Sequence, residues 1–293
     1  MTDDVQNGSM ATIGVIGAGT MGSGIAEVFA QSGYDVVIVE TSDEFLDRGL
    51  QRITADLDKL VSRERLTDEK RDTILSRIEG TTEFDRLGNC DFVIEAVPEE
   101  KELKAELFRK LSETVDPETI LASNTSSLSI TELGHCATNP ARVIGMHFFN
   151  PVPKMELVEV VPGRATSDDT VAFTVAMAMQ LGKNPIVVSD SPGFVVNRLM
   201  IPMINEAVFA LNEGVASAED IDAVMRLGAS HPMGPLELAD MIGLDTVLSI
   251  MEAMHHAFGD DKYRPAPLLR QMVSGGQLGR KSGQGFYSYE KGN

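Results

Sequence analysis

Tryptophan is absent from this 293-residue chain, aromatic residues make up only 5%, and cysteine occurs twice, at Cys90 and Cys136. Two cysteines with no spaced Cys/His cluster can build neither a disulfide framework nor a structural zinc site, so no metal is expected and a reducing cytoplasm is the predicted location. Basic residues are also scarce. With 25 of them against 44 acidic ones, the formal charge of −19 argues against nucleic acid or an anionic membrane surface as a partner. Nowhere do about 18 apolar residues run together, so no membrane-spanning helix is predicted. The polar, acidic start from Met1 to Ala11 lacks the basic-then-apolar layout of a signal peptide. What is present is an ordinary globular composition, 43% hydrophobic and 24% charged, long enough to bury a core in each of two domains.

From Thr12 to Val188 short apolar runs alternate with longer amphipathic ones. That βαβ rhythm predicts a mainly parallel sheet with helices on both faces. The strands are expected at Ile13–Ile16, Asp35–Val39, Asp91–Ala96, Ile120–Ala122, Arg142–Met146, Leu157–Val161 and Pro185–Val188, with a further one around Ile78–Thr82. Between Ser42 and Arg77 the pattern reads as two helices broken near Leu66-Thr67-Asp68, with Thr67 as an N-cap, which would form a protruding helical hairpin. The rhythm changes at Ser189-Asp190-Ser191-Pro192-Gly193, a cluster of turn formers. Residues 1–190 are therefore read as one domain and 191–293 as a smaller all-α domain. Its helices are predicted over Asn197–Glu213, Ala218–Leu227, Leu236–Ile242, Thr246–Phe258 and Leu268–Ser274. Met and Leu occupy most sides of these helices, which fits either a subunit interface or a Met-rich core.

The strongest local motif is Gly17-Ala18-Gly19-Thr20-Met21-Gly22, directly after a predicted strand and opening a helix that runs to about Gln31. Glycines at these places allow a tight turn, close approach of backbone N–H groups to a pyrophosphate and close helix–strand packing. The helix N-terminus adds partial positive charge, one way for so acidic a chain to hold an anion. Glu40 ends the next strand, 18 residues after Gly22, where an acidic side chain meets the ribose hydroxyls of a dinucleotide and repels a 2′-phosphate. The expected cofactor is NAD and the expected fold of the first domain is Rossmann-type. The competing reading of Glu40 is an exposed acid at a strand end.

In open α/β sheets ligands bind outside the carboxyl ends of the strands. Glu99, the run Asn124-Thr125-Ser126-Ser127 and His147 each follow a predicted strand and so converge there. His147 stands among aromatic and apolar residues, where a lone histidine is often a hydrogen-bonded core residue. The next strand, however, carries Glu159 between Val158 and Val160. A carboxylate among aliphatic neighbours must find a partner or stay protonated, and His147 is the natural one. Such a carboxylate would fix the histidine tautomer and stabilise the imidazolium, making the ring a base for an alcohol proton while a hydride leaves for nicotinamide. The alternative is an edge strand whose acid faces water.

These features resemble the (S)-3-hydroxyacyl-CoA dehydrogenases. The resemblance is carried by Ser123-Asn124-Thr125-Ser126-Ser127, Met146-His147-Phe148-Phe149-Asn150-Pro151, Pro192-Gly193-Phe194-Val195-Val196-Asn197-Arg198 and Gly279-Arg280-Lys281-Ser282-Gly283. It implies NAD-dependent oxidation of a short (S)-3-hydroxyacyl-CoA to the 3-oxoacyl-CoA, and the reverse, with His147 as base and Glu159 as its orienting carboxylate. It further implies that Ser126 contacts the substrate oxygen and that Asn197 holds substrate near the histidine. Glu99, Lys104, Ser126 and Asn150 would surround the nicotinamide half of the cofactor, with Lys281 reaching it from the C-terminal end. The helical hairpin would meet CoA through Arg52, Lys59 and Arg63, and the C-terminal domain would form a homodimer. Without the resemblance Lys104 reads as part of a solvated helix face. Two other functions compete: a dehydrogenase of a free hydroxy or sugar acid, and a non-catalytic NAD-binding protein.

Overall fold

Valine and isoleucine fill the predicted strands in continuous runs, as befits strands covered on both faces. In the computed structural model, which describes residues 11–289, those runs are the centre of one sheet. The polar segment Met1 to Met10 lies outside the described residues. In chain order the sheet half contains β1 (Thr12–Ile16), α1 (Thr20–Gln31), β2 (Asp35–Val39), α2 (Asp43–Ser62), α3 (Asp68–Leu75), β3 (Ile78–Thr81) and β4 (Phe92–Glu95). It continues with α4 (Lys101–Thr114), β5 (Ile120–Ser123), α5 (Ile130–Cys136), β6 (Val143–Phe148), β7 (Leu157–Pro162), α6 (Asp168–Gln180) and β8 (Asn184–Val187). Among the described residues the α-helices that follow are α7 (Val196–Asn212), α8 (Ala218–Gly228), α9 (Pro235–Ile242), α10 (Leu244–Phe258) and α11 (Pro267–Ser274).

The eight strands lie in the order β3-β2-β1-β4-β5-β6-β7-β8. Strands β1 to β6 run parallel, whereas β7 pairs antiparallel with β6 and parallel with β8. The order reverses direction between β1 and β4, and a reversal of this kind opens a crevice at the carboxyl ends of the strands. Ile13, Val15, Ile38, Phe92, Ile94 and Ile144 are fully buried from the sheet, packed by Ile25 and Phe29 of α1.

One sequence expectation needs correcting. The strand expected to stop at Met146 continues through Phe148, so His147 is a sheet residue rather than the first residue after a strand. Its whole six-residue run is buried, and the antiparallel ladder to β7 extends the pairing beyond the point where polarity rises.

The hairpin of α2 and α3 has the cap expected of it, with the Thr67 hydroxyl accepting from the Lys70 amide at 3.3 Å. It is anchored at its base: a Cβ at Gly49 of α2 would sit 2.6 Å from the Ala18 carbonyl oxygen, so the helix rests directly on the glycine loop.

The chain divides into two compact units, Met1–Asp190 and Ser191–Asn293. Among the described residues the second unit has only isolated bridges, Gly279 with Gln284 and Gln284 with Ser288. Its core joins Ile201, Ile204 and Val208 of α7 to Leu236, Val247, Met251, Met254 and Leu269. The Met-rich helices thus split their surfaces: Met251 and Met254 are fully buried, while Leu199 and Leu227 stand 69% and 88% exposed. Two buried carboxylates organise this unit. Asp222 accepts from the amides of Leu236 and Glu237 at the start of α9, and Asp240 accepts from Phe286 and Tyr287, pinning the C-terminal segment.

Candidate active site

Gly17 turns the chain with φ 96°, a conformation that side chains other than hydrogen rarely adopt. A Cβ at Gly22 would lie 1.8 Å from the Gly17 carbonyl oxygen, so that glycine is what lets α1 start against β1. Gly19 differs, because a Cβ there would meet nothing within 4 Å. No side chain caps α1 at Gly19 and no acidic residue occupies its first turn. The loop therefore leaves open space beside an uncapped helix N-terminus, which fits a pyrophosphate.

Glu40 is fastened to that loop. Its carboxylate accepts from the Ala18 amide at 2.8 Å and from the Thr41 amide at 2.7 Å. This removes the reading of Glu40 as a merely solvated acid. Arg52 faces the same loop, donating to the Ala18 carbonyl and the Ser23 hydroxyl at 3.3 and 3.1 Å. It stands apart from the other two cations read with it. Lys59 is exposed and paired with Asp56 at 2.8 Å, and Arg63 is exposed beyond the end of α2.

His147 and Glu159 are register partners across the β6–β7 ladder, so their side chains leave the same face. The Nδ1 of His147 and Oε2 of Glu159 are 2.8 Å apart, with the residues 6% and 2% exposed. Since β7 lies between β6 and β8, the edge-strand alternative for Glu159 does not hold. The Phe149 ring packs on the imidazole at 4.4 Å between centroids, shielding one side from water. Asn124, at the end of β5, accepts from the Phe148 amide at 2.8 Å and ties the histidine strand to its neighbour.

A second group gathers at the end of β4. Glu99 Oε1 accepts from the Thr125 hydroxyl at 2.5 Å, from the Ser126 and Ser127 amides at 2.8 and 3.0 Å, and from the Ser127 hydroxyl at 2.9 Å. The Ser126 hydroxyl lies 3.3 Å from the same oxygen. Its other oxygen meets the Lys104 ammonium at 2.9 Å. Burial works to raise the Glu99 carboxyl, but the Lys104 charge and these hydrogen bonds outweigh it and hold it at about 2. Lys104 is only 1% exposed, which overturns its reading as a solvated helix residue. Burial alone would lower its ammonium, yet Glu95 and Glu99 together raise it.

Glu95 was passed over by sequence reasoning. It ends the apolar run Phe92-Val93-Ile94 and is fully buried, pairing with Lys104 at 2.9 Å and accepting from the Ser123 hydroxyl and the Val97 amide. The available signal was a carboxylate closing a buried strand nine residues before a lysine.

The remaining predicted residues are distributed as follows. Asn150 is exposed just after β6. Asn197 and Lys281 belong to the second unit, where Asn197 is 6% exposed in the first turn of α7 and Lys281 pairs with Asp245 at 2.5 Å. Among the described residues no group of three or more His, Cys, Asp or Glu could hold a metal ion.

The family model "3-hydroxyacyl-CoA dehydrogenase, NAD binding domain" matches residues 12–191, and "3-hydroxyacyl-CoA dehydrogenase, C-terminal domain" matches residues 193–289. The chain belongs to the 3-hydroxyacyl-CoA dehydrogenase family. Its first unit is the NAD-binding domain of that family, in agreement with the glycine loop and Glu40. A Deinococcus radiodurans relative named "Probable 3-hydroxybutyryl-CoA dehydrogenase" is 55% identical over 276 residues, covering 94% of this chain and 99% of that one. A 3-hydroxybutyryl-CoA dehydrogenase of Bradyrhizobium diazoefficiens is 50% identical over 277 residues, 94% of each chain. The crystal structure of (S)-3-hydroxybutyryl-CoA dehydrogenase from Ralstonia eutropha matches with a TM-score of 0.93 at 51% identity, covering 97% of this chain and 100% of that one. No helix among the described residues is long and apolar enough to cross a membrane.

Proposed function

We propose that this 3-hydroxyacyl-CoA dehydrogenase family member oxidises a short (S)-3-hydroxyacyl-CoA such as 3-hydroxybutyryl-CoA to its 3-oxoacyl-CoA, and catalyses the reverse reduction. The observation that carries the reading is the buried His147–Glu159 pair at 2.8 Å, next to the carboxyl edge of the sheet. With Nδ1–H donating to the carboxylate, the other ring nitrogen, Nε2, keeps a lone pair for the hydroxyl proton of the substrate. Glu159 then stabilises the imidazolium that results. Bound NAD+ supplies the hydride acceptor. Ser126 donates to the oxygen that becomes a carbonyl, and Asn197 holds the substrate beside the base.

Glu40 binds the adenosine ribose and selects NAD over NADP, while Glu99, Lys104, Asn150 and Lys281 attend the nicotinamide half. Arg52, Lys59 and Arg63 are the candidates for CoA phosphate contacts; the commitment of Arg52 to the glycine loop favours Lys59 and Arg63. The protein acts in the cytoplasm as two domains, residues 1–190 binding cofactor and 191–293 serving substrate and dimer formation. The exposed Leu199, Val224 and Leu227 favour a second copy of the chain as the partner of the helical domain.

NADH formation at 340 nm from (S)-3-hydroxybutyryl-CoA, compared with free 3-hydroxybutyrate, tests the reaction. Turnover of the CoA ester is expected; turnover of the free acid alone would replace this reading with that of a hydroxy-acid dehydrogenase.

A further inference from the structure

Beneath the proposed nicotinamide end lie three charged groups in a chain of contact. Glu95 and Glu99 both hold Lys104, each at 2.9 Å, so two carboxylates share one ammonium. Every member is fixed. Glu95 also accepts from Ser123 and Val97, and Glu99 from the turn Thr125–Ser127. The set carries one net negative charge, and the carboxylate of Glu99, held at about 2, does not give up that charge at neutral pH. Glu95 and Lys104 are sealed at 0% and 1% exposure, whereas the Glu99 side chain is 33% exposed and is the member of the cluster open to an approaching group.

A single Glu99–Lys104 pair would have sufficed to hold the serine turn, and it would have been neutral. The buried Glu95 makes the difference. Its charge sits in protein rather than water, so it is weakly screened and acts on whatever approaches Glu99. A nicotinamide ring is cationic when oxidised and uncharged when reduced, so a fixed negative charge acts on one form of the cofactor and not on the other.

We propose that Glu95, through the Glu95–Lys104–Glu99 cluster, biases the site toward the oxidised cofactor over the reduced one. This rests on the reading that Glu99 lies at the nicotinamide end. Glu95 touches no ligand; it is a positioning residue whose charge is its contribution.

The test is equilibrium binding of NAD+ and of NADH, by calorimetry and by NADH fluorescence, to the full-length protein and to Glu95→Gln. The variant neutralises the cluster, so the ratio Kd(NAD+)/Kd(NADH) should rise by about fivefold, the effect of one partly screened charge at several ångströms. Equal weakening of both forms, or no change, would reduce Glu95 to a structural role and overturn the proposal. Retained NADH binding reports that the variant is folded. If Glu95→Gln does not fold, Lys104→Gln, which removes the ammonium shared by the two carboxylates, should lower the ratio below that of the parent at the same pH. A ratio that stays or rises would overturn the idea. Failure of the parent protein to bind either nucleotide would instead sink the cofactor reading itself.

Discussion

Replacing Glu159 by glutamine keeps the shape of the buried pair and removes its charge. In the parent, His147 Nδ1 lies 2.8 Å from a carboxylate that is 2% exposed, so the imidazolium formed during turnover meets a full counter-charge with little solvent between. A hydrogen bond to an ionised partner is worth about 1.5–3 kcal/mol and a neutral one about 0.5–1.5, so the loss is about 1–2 kcal/mol, or roughly tenfold in rate. A second effect compounds it. The amide can turn its N–H toward Nδ1, which moves the ring proton to Nε2 and blocks the base in that fraction of molecules. Together these predict a fall in kcat of about 100-fold, with the Kd for NAD+ altered less than about threefold. Initial rates, fluorescence titration and circular dichroism on the same preparation read the three quantities. If kcat changes less than twofold in a folded protein, the pair is a core feature and the acid–base assignment is wrong. Loss of the folded spectrum would refute the catalytic emphasis in the other direction.

Glu40→Ser removes the carboxylate tied to the Ala18 amide and should shrink the preference for NAD over NADP by about tenfold or more, measured as the ratio of kcat/KM values; an unchanged ratio would separate Glu40 from cofactor choice. Burial, assisted by Asp56, pushes Glu27 from its usual 4.5 up to about 7. The folded state thus holds a proton that the unfolded chain has released between those values, so this contribution to stability is present below 4.5 and is lost as pH rises through 7. Glu27→Gln, which keeps a partner for Gln31, should therefore be more stable than the parent by about 2–3 kcal/mol at pH 8 and show no such gain near pH 4.5; parallel Tm curves against pH would contradict this. Gly22→Ala would force a methyl to 1.8 Å from the Gly17 carbonyl and should cost about 3 kcal/mol or more, read by urea unfolding. Gly19→Ala has nothing within 4 Å and should leave stability within about 0.5 kcal/mol while weakening NAD+ binding, because the methyl fills the open cradle. Equal effects at the two glycines would mean that the loop has no ligand side.

The sequence made much of this arrangement readable because its signals are local. Strand periods, the glycine spacing and the Thr67 cap each depend on a few neighbouring residues, and the corresponding elements lie where the patterns put them. Glu159 was legible for a different reason: a carboxylate between valines has few ways to be satisfied, and His147 was within reach on the preceding strand. The end of β6 was harder to read, since Met146-His147-Phe148 gains its ladder from a strand nine residues further on. Lys104 was legible only through the family resemblance, and Glu95 only through its place at the end of an apolar run nine residues before that lysine. Helix periodicity marks Lys104 as polar and therefore outward, and only the fold around the end of β4 brings Glu95 and Glu99 to it, each at 2.9 Å.

The β6–β7 ladder places base and carboxylate 12 residues apart on one continuous stretch of chain. Heritable change therefore acts on them as a cassette. Because alternate residues point to opposite faces, inserting or deleting one residue within either strand would turn one partner through the sheet and part them completely. Residues added in the connection, between Phe148 and Leu157, leave the pairing register alone. Variation in length is thus tolerated in the turn and lethal to the pair within the strands, so a lineage can reshape the mouth beside the imidazole without renegotiating its chemistry.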